Sequence, residues 1–489
     1  MNIEIKRQDL LFLLVCLGLA IITELSFFHG TVGVSYLLFL TAFYSVFFFR
    51  FRSLAFTHRR IGMLLMVSIW ILSANYLFYD NQLFYQLNFL VTPALMTVHI
   101  ILITAPKQMN WHAPYFLQTM VEKLAMGIKY NNHFFTKIFR LIFKNIDVQT
   151  AQTIKRIALG LVVGLPLLGI VTLLLMSADS VFQDFVLRLP KFIFQLSFEE
   201  QLLRAMIVGF FLLVFFGIFQ VLELSKSNKT YQNQKEDRKK FDSVVALTIL
   251  FLLNGVYLLF TAIQFTYFFG TGLEEGYTYA EYARRGFFEL ILVTMVNWTL
   301  LISFLTFVKE SRKKANLTLK VMYSIVVVVS GVMLVSAFQR LSMYEEAYGF
   351  TFDRILAHAF MVFLAIIFAY TMMRVWIERL SLLHFYLLTS LTFYTALNVL
   401  PLEKIIVDNN LERYQQVGKI DVFYLDSLGW RGVEGLINLY QEEPNHPNVE
   451  KILIQRKNTA ENFQQQRTWQ SYNVQKQTVM EKLSKLNIK

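Results

Sequence analysis

Residues 243–269 read "SVVALTILFLLNGVYLLFTAIQFTYFF" and contain no charged side chain. A helix needs about 20 mostly apolar residues to cross the hydrocarbon core of a bilayer, so this stretch is long enough to span a membrane. Comparable apolar runs recur between residue 10 and residue 400. The sequence therefore predicts an all-α fold, namely a polytopic transmembrane helical bundle.

The composition agrees with this fold class. Of the 489 residues, 55% are hydrophobic and 16% are charged, and the mean hydropathy is +0.47. Soluble domains usually carry about 25% charged residues. Membrane β-barrels alternate apolar and polar positions in segments of roughly 10 residues, and the sequence lacks that pattern. The single cysteine, Cys16, excludes an intrachain disulfide and a cysteine-based metal site.

We expect about eleven spans, separated by short polar links. They are placed near 10–28, 31–49, 61–79, 83–104, 157–176, 202–222, 243–269, 287–308, 317–338, 355–376 and 383–400. The first run ends in bulky residues rather than a cleavage site, so we expect it to be a retained helix. The predicted organisation is a four-span segment, a basic loop, a seven-span segment and an extramembrane tail: 1–104, 105–156, 157–400 and 401–489.

Lysine and arginine are concentrated in alternate loops. Residues 105–156 contain eight of them and residues 223–242 contain six, whereas no loop on the other side contains more than two. Cytoplasmic loops of membrane proteins carry the excess of these residues. The sequence therefore predicts a cytoplasmic N-terminus, and eleven spans place the C-terminus outside. The net charge of +12 mostly reflects this anchoring, so we expect no nucleic-acid partner.

The basic loop contains "HFFTKIFRLIFKN" at residues 133–145. On a helix, Lys137, Arg140 and Lys144 share one face, and apolar residues cover the rest. A basic amphipathic helix of this kind binds anionic lipid at the inner membrane surface. The alternative is a helix that packs beneath the bundle, because the amphipathic pattern suits either setting.

From residue 401 the composition changes. Short apolar helical patterns are interrupted by glycines up to Tyr440, and "EEPNHPN" at 442–448 is typical of a turn or linker. The remainder is rich in Gln, Asn and Lys with weak helical periodicity. This region is predicted to be a small helical extramembrane tail.

Charges of both signs stand at the start of one predicted span. "TYAEYARRGFFEL" occupies residues 278–290, and Glu281, Arg285 and Glu289 lie at i, i+4 and i+8 on one helical face. Such neighbours form stabilising pairs, and a carboxylate within a membrane usually has a partner. Arg284 and Arg285 are close to the helix N-terminus, where the helix dipole disfavours cations, so acidic residues elsewhere are expected to compensate.

Two acidic pairs on the same predicted side can supply those acids: Glu274 and Glu275 just upstream, and a pair in a second segment. "RLSMYEEAYGFTFDR" at residues 340–354 contains Glu345 and Glu346, and Tyr344 and Tyr348 share a helical face beside them. Gly349 is expected to terminate one helix and Thr351 to cap the next. The eight residues of the two segments form a candidate structural or binding cluster: Glu281, Arg284, Arg285, Glu289, Tyr344, Glu345, Glu346 and Tyr348.

Four stretches carry a resemblance to a known family. They are "LLNGVYLLFTAIQFTYFFG", "TYAEYARRGF", "YEEAYGFTFDR" and "NNLERY…GKIDVFYLDSL". The chain resembles a family of bacterial multi-pass membrane proteins defined as a domain of unknown function, in which these stretches occur in the same order. The similarity covers roughly residues 250–430, whereas the first 240 residues resemble the family only in being helical spans. The resemblance implies a bacterial inner-membrane protein and brings no established activity, cofactor or catalytic residue.

Other polar residues in the spans have structural interpretations. Interhelical hydrogen bonding is expected of five amides in or near spans: Asn75, Asn254, Gln264, Asn297 and Asn398. His99 and His358 are single histidines on apolar helices, and a role in the core is more common for such residues than metal binding. No sequence motif for a phosphate loop, a zinc protease or a nucleophile elbow occurs, so we expect no cofactor.

Three functions are compatible with these patterns. The first is a non-enzymatic envelope component that relays a signal or scaffolds partners through its outer face, with the lipid bilayer and an unidentified membrane or envelope protein as partners. The second is a transporter of a small solute. The third is a membrane-embedded enzyme that acts on a lipid-linked substrate, since a Tyr, Glu and Arg cluster can bind phosphate. The outer cluster and the exposed tail favour the first.

The predicted topology can be tested with a reporter. An alkaline phosphatase fused after Lys489 should be active, because eleven spans from a cytoplasmic N-terminus place that residue outside the cytoplasm. Activity is measured in intact cells and compared with a fusion in the loop at residues 223–242, which should be inactive. A C-terminal reporter that works only in the cytoplasm would contradict the eleven-span topology.

Overall fold

A computed structural model provides the structure of the chain. It describes residues 7–142, scattered positions between 153 and 175, and residues 198–225, 241–269, 287–308, 313–465 and 468–488. Within these ranges the regular secondary structure is helical. Among the described residues, eleven helices with defined bounds precede the C-terminal region: α1 (Arg7–Phe27), α2 (Val34–Arg50), α3 (Arg59–Phe78), α4 (Gln82–Thr104), α5 (Pro114–Ile142), α6 (Phe198–Ser225), α7 (Ser243–Phe269), α8 (Phe287–Phe307), α9 (Lys313–Tyr348), α10 (Phe352–Trp376) and α11 (Leu382–Val399).

Most of the predicted spans coincide with these helices. In the described part of the chain, nine helices are long and apolar enough to cross a membrane, and α2 is a shorter apolar helix. The protein is therefore a multi-pass membrane protein. The span expected at 157–176 falls mainly outside the described residues, so the total of eleven and the orientation stay predictions.

Helices α1 to α6 pack around an aromatic core. We call this group of helices the N-terminal bundle. The ring of Phe219 on α6 lies 5.9 Å from that of Phe12 on α1 and 6.1 Å from that of Phe47 on α2. At one end of this bundle, Arg50 lies 3.7 Å from Asp9 and donates to Gln220. Helix α6 therefore packs beside α1 and α2, although most of the N-terminal half of the chain separates them in sequence.

Helix α5 packs against α6. Asn131 donates to the carbonyl of Leu213 at 2.7 Å, and a Cβ on Gly217 would approach the carbonyl of Gly127 to 2.9 Å. Two glycines thus allow the two helices to approach closely. The sequence analysis left two alternatives for the basic amphipathic helix, and α5 corresponds to the one in which the helix packs against the bundle. Lys137 is exposed, the side chain of Arg140 and residue Lys144 lie outside the described set, and contact with anionic lipid stays a prediction.

Helices α7 to α11 form a second group with its own core, the C-terminal bundle. Buried amides join its members: Tyr257 on α7 donates to Asn297 on α8 at 2.5 Å, and Asn297 donates to Ser330 on α9 at 2.9 Å. Asn254 donates to the carbonyl of Met322 at 3.1 Å. Hydrogen bonding between helices is therefore confirmed for these asparagines. The side chain of Gln264 lies outside the described set.

A buried amide network connects the two bundles. Asn88 on α4 is fully buried, donates to Asn398 Oδ1 at 2.7 Å and accepts from Tyr394 at 2.7 Å. Asn75 on α3 donates to the carbonyl of Asn398 at 2.9 Å. These bonds confirm the expectation for Asn75 and Asn398. Since unpaired amides in an apolar interior are costly, the network fixes α11 against α3 and α4.

The region after residue 401 folds into a helical domain, as expected. Its helices are α12 (Leu402–Val417), α13 (Val422–Ser427), α14 (Gly429–Glu442), α15 (Val449–Gln465) and α16 (Val474–Ser484), with a 3₁₀ turn at Trp469–Ser471 before the last. Helix α14 lies at the centre, and its Val433 and Leu436 are fully buried against Leu425 and Leu453. The region is thus a small C-terminal domain with its own apolar core.

Candidate functional site

The segment 340–354 forms a tight corner between α9 and α10. Gly349 has φ +85° and its N–H donates to the carbonyl of Glu345 at 2.8 Å, which confirms the predicted helix terminator. Thr351 occupies the capping position of α10, as expected, but its side chain makes no capping bond. The ends of both helices therefore need other partners, because the outermost N–H and C=O groups of a helix have none within it.

The C-terminal domain supplies those partners. Asn410 on α12 accepts from the N–H of Phe350 at 3.0 Å and donates to its carbonyl at 2.8 Å. The hydroxyl of Tyr424 accepts from the N–H of Phe352, the first residue of α10, at 2.7 Å. Side chains of the domain thus replace the missing cap at Thr351.

Arg413 completes this set at the end of α9. Its guanidinium donates to the carbonyl of Glu346 at 3.1 Å and to that of Ala347 at 2.6 Å. A cation at a helix C-terminus is also favoured by the helix dipole. The corner is therefore capped at the end of one membrane helix and at the beginning of the next by a single neighbouring domain.

The same domain caps helices of the N-terminal bundle. The carbonyl of Tyr472 accepts from the N–H of Val34, the first residue of α2, at 3.1 Å. Asn473 donates to the carbonyls of Tyr76 and Tyr79 at the end of α3, at 3.0 and 2.8 Å. We call the bonds made by Asn410, Arg413, Tyr424, Tyr472 and Asn473 the cap contacts, and the side of the bundle that carries them the capped side.

Four residues of the predicted cluster lie beside the cap contacts. The rings of Tyr344 and Tyr348 are 4.9 Å apart, so the two tyrosines do share a face, and Arg354 lies 4.2 Å above Tyr344. Glu346 is exposed, whereas Glu345 is 5% exposed. The two adjacent glutamates therefore have different environments.

Of the other four residues, only Glu289 is among the residues that the structure describes. Glu281, Arg284 and Arg285 lie outside the described residues, so their pairing with Glu345 and Glu346 stays a prediction. Glu289 is exposed in the first turn of α8, where the helix dipole favours a carboxylate.

The partner of Glu345 is His358, for which the sequence analysis predicted only a role in the core. His358 Nδ1 on α10 lies 3.3 Å from Glu345 Oε1, and His358 Nε2 lies 3.3 Å from the hydroxyl of Ser342. The ring of Phe338 covers the imidazole at 4.3 Å. A hydroxyl, an imidazole and a carboxylate in this order have the connectivity of a nucleophile relay.

The hydrogen bonds favour a structural interpretation of this group. The hydroxyl of Ser342 donates to the carbonyl of Phe338 at 3.0 Å, so towards His358 it can only accept. Glu345 Oε1 lies within ion-pair distance of His358 Nδ1 but accepts no aligned hydrogen bond among the described residues. The three side chains therefore do not form a continuous relay, and the hydroxyl proton of Ser342 is directed at a backbone carbonyl rather than at a base.

A second pair of carboxylates lies where the domain meets α3 and α4. Asn81 accepts from the N–H of Phe84 at 2.8 Å, which caps α4, and donates to Glu403 on α12. Burial raises the pKa of Glu403 to about 7, with a further contribution from Asp80. Burial also raises the pKa of Asp80, against the opposing effect of Lys476. The junction therefore favours a protonated Glu403.

The sequence analysis missed the residues that make these contacts. Asn473 and Glu403 were seen only as part of a polar tail, and Asp80 as part of a short link between spans. Asn410, Arg413 and Tyr424 stand in the last of the stretches that resemble the family, which was the one signal that could have identified them. Among the described residues, no group of three or more His, Cys, Asp or Glu side chains has an arrangement that could hold a metal ion.

The last two of the stretches that carry the resemblance thus meet in space at the corner of α9 and α10. Comparison with protein families gives a match over residues 66–439 to the domain of unknown function DUF4153, which is more than half of the chain. The chain belongs to the DUF4153 family. The match begins well before residue 250, so it includes helices that the sequence analysis treated as generic spans. No curated protein and no solved structure matches the chain.

Replacement of Glu345 tests the buried pair. Glu345→Ala should lower the free energy of unfolding by about 1–3 kcal/mol, because it removes the buried carboxyl group beside His358 and leaves a buried imidazole nitrogen without a polar neighbour. Glu346→Ala is the matched control and should change stability by about 0.5 kcal/mol or less, since its side chain is exposed. Thermal unfolding of both variants in detergent measures the difference. Equal melting temperatures would show that the pair does not stabilise the corner.

Replacement of Glu403 tests the protonated junction. An acid whose pKa is raised on folding stabilises the protein below its unfolded pKa, and this stability is lost as pH rises from about 4.5 to about 7. The wild type should therefore be less stable at pH 8 than at pH 5, by on the order of 3 kcal/mol for Glu403 alone. Glu403→Gln keeps the acceptor for Asn81 and should reduce that difference.

The control for this test is Glu412→Gln, on the exposed side of the same helix. It should leave the dependence of melting temperature on pH unchanged. If Glu403→Gln also leaves it unchanged, Glu403 is ionised at the junction and another group must stabilise it.

Proposed function

We propose that this protein is an envelope component that relays a signal or scaffolds a partner through its C-terminal domain, on the outer face of the bacterial inner membrane. The cap contacts carry the proposal. A domain that was only tethered would be joined to the bundle at residues 400–402. This one is fixed to helices of both bundles through Asn410, Arg413 and Asn473.

The cap contacts supply a physical basis for relay. A net hydrogen bond stabilises by about 1 kcal/mol, so a shift of one bundle against the other breaks caps or moves the domain with it. The position of the C-terminal domain therefore depends on the arrangement of α2 and α3 relative to α9 and α10. A partner bound to the domain would respond to that arrangement.

The same contacts weigh against the two alternative functions. Alternating access in a transporter needs two groups of helices to rock against each other, and the cap contacts hold both bundles together on one side. For an enzyme, the best arrangement among the described residues is that of Ser342, His358 and Glu345. Its hydrogen bonds favour a structural pair, so the scaffolding function is the one we propose.

A pair of adjacent double variants tests the proposal. Asn410→Ala with Arg413→Ala removes cap contacts at α9 and α10. The control is Asn409→Ala with Glu412→Ala, which changes two neighbouring residues of α12. It should leave the cap contacts intact, because the side chain of Asn409 donates to the carbonyl of Ile405 on the same helix. In the first variant, hydrogen exchange at Phe350 should rise about tenfold or more, the equivalent of about 1.4 kcal/mol, whereas exchange at Phe352 should change less because its N–H still donates to Tyr424.

The functional readout uses a photo-crosslinking residue at position 454, where Ile454 is 40% exposed on the C-terminal domain. In cells the photo-crosslinking residue should give a crosslink to a specific protein. The crosslink yield should fall in the variant with Asn410→Ala and Arg413→Ala and persist in the variant with Asn409→Ala and Glu412→Ala. A yield that stays constant while exchange rises would show that the domain acts independently of the bundle. Absence of any protein crosslink from the domain would overturn the scaffolding function.

A further inference from the structure

Two large aromatic side chains on the C-terminal domain are exposed close to the ends of membrane helices. Trp469 is 51% exposed and Phe423 is 63% exposed. Aromatic side chains of this size are usually buried in a small domain, and tryptophan in membrane proteins concentrates where the bilayer meets water. The level of these two side chains relative to the ends of the membrane helices therefore decides whether lipid or water covers them.

The depth of Trp469 is set by its neighbours. Gln470 donates to the carbonyl of Leu25 in the last turn of α1 at 3.2 Å, and the carbonyl of Tyr472 caps α2 at Val34. A Cβ at Gly33 would collide with the carbonyl of Tyr472, so the turn that carries Trp469 lies directly on the link between α1 and α2. Trp469 is therefore held at the level where two membrane helices end.

Phe423 is placed at a comparable level in the C-terminal bundle. It precedes Tyr424, whose hydroxyl accepts from the first N–H of α10. Phe28 follows the end of α1 on the same capped side and is 51% exposed. An exposed aromatic side chain therefore also lies at the end of that apolar helix. Exposed aromatic residues thus stand beside the capped ends of helices from both bundles.

We propose that the C-terminal domain is seated in the headgroup region of the leaflet on the capped side, with Trp469 and Phe423 as its lipid contacts. Lipid is the occupant because the hydrogen bonds that Gln470, Tyr472 and Tyr424 make to backbone groups of the membrane helices fix the two side chains at the boundary of those apolar helices. There they meet headgroups and the first acyl carbons. The domain then has a membrane-facing side, and its remaining surface is the side open to a protein partner.

Spin-label accessibility tests the proposal with the full chain in phosphatidylcholine nanodiscs. Cysteine replaces Trp469, Phe423 or, as a control, Ile454, in a chain that carries Cys16→Ala. Ile454 is a suitable control because it is also an exposed apolar residue, on α15, which packs on α14 and α16. The ratio of oxygen to nickel-chelate accessibility should be several-fold higher at 469 and 423 than at 454.

Equal nickel access at the three positions would overturn the proposal, because the aromatic residues would then face water. Protection from both reagents that disappears when each disc holds one chain would also overturn it, since a second copy would be the occupant. A further measurement does not depend on the cysteine variants. Trp469→Phe should lower the fraction of tryptophan fluorescence quenched by lipids brominated near the headgroup. Trp430→Phe, at a buried position, should not lower that fraction.

Discussion

The backbone groups at the ends of the membrane helices are the constraint on which this structure depends. Within a span every N–H and C=O has an intrahelical partner, but each end leaves several unsatisfied. Here the ends on one side are satisfied by a folded domain rather than by water alone. Asn410, Arg413 and Asn473 each satisfy groups that the membrane helices leave open. The domain and the bundle are therefore one structural unit, although their compositions differ sharply.

Much of the architecture could be predicted because a bilayer imposes a length and a hydropathy on each span. That constraint located α1 to α4 and α6 to α11 within a few residues, except that α9 continues to Tyr348, well beyond the predicted end of its span at residue 338. It could not show that α6 packs beside α1, because apolar residues face lipid and other helices alike and do not identify their neighbours. The corner at Gly349 was predictable, since a glycine between two apolar patterns is a local signal.

The candidate site was harder to predict because its contacts join distant parts of the chain. Tyr344, Glu345, Glu346 and Tyr348 were identified from their types and spacing. The difference between buried Glu345 and exposed Glu346 depends on which face of α9 meets His358, and that became visible only with α10 in place. Asn473 had no local signal at all, since its partners at Tyr76 and Tyr79 belong to a helix near the other end of the chain.

The cap made by residues 472 and 473 on α2 and α3 also bears on how the chain assembles. Ribosomes deliver α2 and α3 to the membrane before the C-terminal domain, so these helices are inserted before their caps exist. During that interval their ends are served by water or by assembly factors. Docking of the domain is thus a late step that distinguishes a finished molecule from a partly made one, and quality-control proteases that probe loose helix ends would find them protected only after that step.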